Sequence, residues 1–92
     1  MAADLYPCVL WRDRPYPLSL LLGQKELERF TTALDLRDGR SVNAAIVAGA
    51  QRHGRRDLTA YQLDVYHPRT GERIHPYRYT AWLEEQDVSY LA

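Results

Sequence analysis

Cysteine, lysine and long apolar runs are all scarce in this chain. Its one cysteine, Cys8, excludes an internal disulfide framework and suits a reducing compartment. The longest apolar stretch, Leu18 to Leu22 interrupted by Ser19, is far too short to cross a bilayer. No basic segment leads into an apolar one near Met1, so no signal peptide is expected and the protein is read as cytoplasmic. The three histidines and Cys8 show neither CxxC nor HExxH spacing, so no metal is expected. GxSxG and the GK[ST] phosphate loop are missing as well. Cys8 itself lies in an apolar segment after Pro7, where thiols are inert core residues. The chain is therefore expected to have no catalytic residue and no cofactor.

What is present is an ordinary globular composition. The 92 residues allow one domain, with hydrophobic residues at 46% and charged residues at 26%. The 12 basic side chains are arginines apart from Lys25. Arginine offers planar, bidentate, permanently charged contacts that suit interfaces, and the bias also fits codon usage in a high-GC bacterium or its phage. Net charge is zero but unevenly placed. Residues 51–79 set Arg52, Arg55, Arg56, Arg69, Arg73 and Arg78 against Asp57, Asp64 and Glu72. Residues 84–92 hold Glu84, Glu85 and Asp87 with no base, and are expected as an acidic tail.

Hydrophobic patterning predicts an α+β fold of element order ββααββ. Leu5 to Arg12 reads as a strand, drawn towards a sheet edge by Pro7. Pro15 and Pro17 forbid regular pairing, making residues 13–17 a connection. Leu18 to Leu22 reads as a second strand, although a run this short also fits the start of a helix. Leu27, Phe30 and Leu34 fall on one stripe of a 3.6 period, predicting a helix from Gln24 to Leu36 closed by Gly39. A second helix is expected from Ser41 to His53, capped by Ser41 and followed by Gly54. Its small residues let another backbone come close along the face of Val42, Ala45, Ile46, Gly49 and Ala50. That face is expected to meet the domain's own sheet, with a homodimer contact through helix 41–53 as the alternative. Leu58 to His67 and Glu72 to Tyr79 complete a small antiparallel sheet of four strands carrying both helices on one face. Thr80 is placed to cap a short C-terminal helix.

The last hairpin carries the candidate site. Pro68 suits the second position of a type I turn, and Gly71 suits a left-handed residue after it. The resulting loop pairs His67 with Glu72, Tyr66 with Arg73, Val65 with Ile74, Asp64 with His75 and Leu63 with Pro76. Tyr61, Leu63, Val65 and Ile74 then face the core. Asp64, Tyr66, Arg73, His75 and Tyr77 face outward, with Tyr66 over Arg73 and Asp64 bonded to His75. In this register His67 and His75 lie on opposite faces and cannot share an ion. Tyrosine and arginine are frequent interface anchors, so the expected function is a protein-binding or regulatory module using this face. The alternative is nucleic-acid binding by Arg52, Arg55 and Arg56 at the end of the second helix, opposed by the absence of excess positive charge. No membrane partner is expected.

Overall fold

The computed structural model describes residues 4–54 and 57–80. Four strands form one antiparallel sheet: β1 (Asp4–Asp13), β2 (Gln24–Leu34), β3 (Tyr61–Tyr66) and β4 (Arg73–Arg78), in the spatial order β2-β1-β3-β4. A one-turn helix, α1 (Leu18–Leu22), interrupts the first hairpin, and α2 (Gly39–Arg52) crosses between the two hairpins. A short 3-10 turn, Leu58–Ala60, leads into β3. The fold is α+β with one main helix on the sheet, where the sequence predicts two. Among the described residues, no helix is long and apolar enough to cross a membrane.

The element predicted as the first helix is strand β2. Leu27, Phe30 and Leu34 do share a face, but a β-bulge brings this about. Leu10 pairs with Glu28 and Trp11 with Glu26, so Leu27 is the extra residue and stays turned towards the core. Beyond the bulge, Phe30, Thr32 and Leu34 alternate as a strand should. The run Leu18–Leu22 is helical rather than extended, and none of its residues is buried.

Strand β1 is central, contrary to the expectation set by Pro7. Pro7 pairs with Thr31 on β2, while the ladder to β3 starts one residue later, at Cys8 and Val65. The proline thus sits where β1 has a neighbour on one side only, which is the local equivalent of an edge.

Helix α2 begins earlier than predicted. Asp38 is its N-cap and accepts a hydrogen bond from the Arg40 backbone N–H, while Ser41 accepts one from the Asp35 N–H instead. Gly39, expected to close a helix, opens this one. The buried face is Val42, Asn43, Ile46, Gly49 and Ala50, packed on Cys8, Leu10, Leu34, Tyr61, Leu63 and Val65. Gly49 is required by this contact, since a Cβ there would lie 2.7 Å from Cδ2 of Leu10. Most of the predicted small-residue face therefore meets the chain's own sheet, while Ala45 on its border is only half-buried. Asn43 ties α2 to the end of β4 by donating to the Thr80 carbonyl and accepting from the Thr80 N–H. The predicted C-terminal helix and the acidic stretch 84–92 lie outside the described residues.

Candidate functional site

Helix α2 covers one face of the sheet, and polar side chains cover the other. Trp11, Asp13, Gln24, Gln62, Asp64, Arg73 and Arg78 form a network there that spans all four strands. The Trp11 Nε1–H donates to Asp64 Oδ2 at 3.1 Å and the Gln62 amide donates to Asp64 Oδ1 at 2.7 Å. Arg73 stands 3.6 Å from the same carboxylate. Asp64 is only 3% exposed although no helix overlies it. At one end, Arg78 makes a two-pronged contact with Asp13 at 2.9 and 3.0 Å, and Gln24 links Asp13 to Gln62. The Arg78 guanidinium holds the Asp13 carboxyl below its ordinary value, against an opposing effect of burial.

The predicted hairpin face is divided by a second bulge. The turn forms as expected: the Gly71 N–H donates to the His67 carbonyl, the His67 N–H donates to that of Glu72, and Gly71 takes φ 76°. Tyr66 pairs with Arg73 as predicted. The ladder then skips Ile74, so Val65 faces His75, Asp64 faces Pro76, Leu63 faces Tyr77 and Gln62 faces Arg78. Asp64, Tyr66 and Arg73 remain on the open face. His75 and Tyr77 move to the helix side, where their rings meet edge-on at 4.8 Å. The expected Asp64–His75 pair is replaced by Trp11, Gln62 and Arg73. Ile74, assigned to the core by sequence, is 40% exposed. The exchange has a physical reason, because the slip lets Tyr77 and then Tyr79 pack on the core in place of one isoleucine. The alternation of Tyr77 with Tyr79 was the signal in the sequence.

Sequence reasoning missed a different surface. Tyr16, Leu18, Leu20, Leu21 and Leu22 are exposed at 79%, 47%, 71%, 85% and 58%. They project from the hairpin between β1 and β2, on α1 and the residues before it. Residues 15–23 contain no charge. The length of this hairpin connection and its two prolines were the available clues.

No family model, curated protein or solved structure matches this chain.

The basic end of α2 is only partly as predicted. Arg52 and the His53 ring both bond Glu28 on β2 at 3.0 Å, and Arg52 lies over the Phe30 ring at 5.2 Å. His53 first, and then Arg52, hold the Glu28 carboxyl below its ordinary value. Arg52 thus fastens helix to sheet. Arg55 and Arg56 lie outside the described residues. Arg12 and Arg14, which the sequence did not single out, line a depression of about 630 Å³ with His53 and Asp57. Neither arginine has an acidic partner among the described residues, and the Arg14 Nε is buried without a hydrogen bond.

Two further placements bear on chemistry. Cys8 is buried in the core, and burial pushes its thiol up to about 11, which leaves it protonated at neutral pH. Among the described residues, no group of three His, Cys, Asp or Glu side chains is placed to hold a metal ion.

Proposed function

We propose that this chain is a non-catalytic, cytoplasmic protein-binding module that docks through its apolar projection, Tyr16 and Leu18 to Leu22. One observation carries the reading: four leucines on a one-turn helix and a tyrosine just before it stand in solvent, with no charge between residues 15 and 23. Burying a leucine side chain is worth roughly 1.5–3 kcal/mol, so holding this cluster in water is costly unless a partner covers it. The partner presents an apolar cleft, since the projection offers no charge to recognise. The polar network on the open face supports the projection from below, with Asp13 and Gln24 at the two feet of the hairpin. This reading keeps the protein-binding role expected from sequence and relocates it from the Tyr66/Arg73 face.

The test is photo-crosslinking from position 19 in the native cell, with a Leu20→Ser/Leu21→Ser variant as control. A single protein crosslinked by the parent chain and lost in the variant is the expected result. Equal capture by both, or partition of the parent chain onto lipid vesicles without any protein adduct, contradicts it.

Nucleic-acid binding is the second reading, favoured by Arg12 and Arg14 standing without an ion-pair partner among the described residues, beside Gly54 and Asp57, which flank Arg55 and Arg56 in sequence. It predicts a steep loss of affinity for mixed-sequence DNA as salt rises, which Arg12→Ala/Arg14→Ala should flatten. Absence of binding even at low salt rules it out.

A further inference from the structure

The two edges of the sheet are protected very differently. The outer edge of β4 carries Pro76 and the bulge at Ile74, both of which discourage a further strand. On β2 the first half is also guarded, by the bulge at Leu27 and by Lys25, Glu26, Glu28 and Arg29. Its second half is not. Phe30-Thr31-Thr32-Ala33-Leu34 is uncharged, free of proline, rich in strand formers and in regular register with β1. No strand among the described residues pairs with its outer side.

Helix α2 is unguarded on the same flank. Residues 41–50 carry no charge, although Ala44 and Ala48 are exposed and Ala45 is only half-buried. A helix that packs on a sheet by one side ordinarily carries charge on the other. Between this helix and the β2 edge runs an open groove of about 390 Å³, lined by Phe30, Thr32, Ala45 and Ala48, with Glu28 and Arg52 at its end.

We infer that a second copy of the chain covers both features, joining β2 to β2 antiparallel about a two-fold axis through Thr32. The charges select this register. Centred on Thr32, Arg29 of each copy, which bonds Glu26 in its own chain, comes near Asp35 just past the other's β2, with Phe30 across from Leu34 and Thr31 across from Ala33. Moving the centre to Ala33 sets Arg29 beyond the end of the partner's strand, towards the turn that carries Arg37, and loses its approach to Asp35. Moving it to Thr31 sets Glu28 against the buried Leu34. A centre between residues puts the two helices on opposite faces, because directly opposed residues in an antiparallel pair share a face. With the axis at Thr32, the sheet continues through eight strands, and the two α2 helices lie side by side over the seam, close enough for their alanines to touch. The contact leaves the α1 projection free, so it stands independently of the partner proposed above.

Sedimentation and oxidative crosslinking test it. The parent chain is expected to sediment as a dimer, and Ala48→Glu and Thr31→Lys/Ala33→Lys each halve that mass with an unchanged circular dichroism spectrum. Leu20→Ser/Leu21→Ser stays dimeric. A Thr32→Cys chain, whose new thiol meets its own copy at the axis, forms an intermolecular disulfide under mild oxidation, whereas Lys25→Cys does not. This second measurement holds if the charged variants fail to fold. A monomeric parent chain overturns the inference, as does a dimer that survives both edge and helix variants. Equal crosslinking from positions 25 and 32 overturns the register.

Discussion

Asp64 shows how much one side chain organises the open face. Its carboxylate is nearly inaccessible and takes hydrogen bonds from Trp11 and Gln62, with Arg73 close by. Removing it leaves a half-buried indole N–H and an amide without this acceptor. Leaving a buried donor unsatisfied costs about 1–3 kcal/mol, so Asp64→Ala is expected to lower stability by roughly 2–3 kcal/mol in urea denaturation. Asp64→Asn keeps an acceptor for Trp11 and should lose about half as much. Equal losses in the two variants would show that charge, rather than hydrogen bonding, holds the network. Little of this was legible in advance. Sequence places Asp64 on the outward side of its strand, and it is there. Its burial depends on Trp11 reaching across from β1, a neighbour that strand order alone supplies.

At the scale of elements, the two bulges account for the largest departures from sequence expectation. Each inserts one residue and switches the alternation of everything beyond it. At Leu27 the switch turns a strand into an imitation of helical spacing. At Ile74 it turns His75 and Tyr77 to the helix side of the sheet and Pro76 to the open face, with Tyr77 packed on the core and His75 exposed. Periodicity assumes an unbroken ladder, so it cannot register an extra residue, whereas turn chemistry is local and was read correctly at residues 67–72. The same locality explains why α2 was found with nearly its true limits: a long small-residue run between Asp38 and Gly54 has few other uses. Its contact with β1 makes a further prediction. Gly49→Ala gains about 1 kcal/mol of helix propensity. Against this, its Cβ must displace a fully buried Leu10, and overpacking costs about 1–3 kcal/mol. The net expectation is a destabilisation of about 1 kcal/mol, and Gly49→Ala/Leu10→Val should recover part of it. A stabilised Gly49→Ala protein would mean that α2 sits farther from the sheet.

For the whole molecule, ion pairs connect parts far apart in sequence and so make stability depend on pH. Glu28 to His53 and Arg52 fastens β2 to α2, and Asp13 to Arg78 fastens β1 to β4. Both carboxyls are held below their ordinary values. A carboxyl lowered in the folded state stabilises the protein above its unfolded value, and that contribution disappears as pH falls through the folded value. The urea midpoint should therefore be highest near neutrality and fall on acidification. Glu28→Gln should lower the neutral plateau and shorten the acid fall. An acid limb of unchanged depth in Glu28→Gln would place the titration elsewhere.

The molecule as a whole also sets what its surfaces can do. One sheet face is occupied by α2 and the other by a polar network, and among the described residues the α1 projection exposes a cluster of large apolar side chains, the surface on which the proposed docking rests. Backbone amide exchange, measured on the protein alone and with the captured partner, tests this most directly. Slower exchange across residues 16–23, with the hairpin of β3 and β4 unchanged, is the predicted result. Protection across residues 62–78 with none at 16–23 would contradict it and return the binding surface to the Tyr66/Arg73 face.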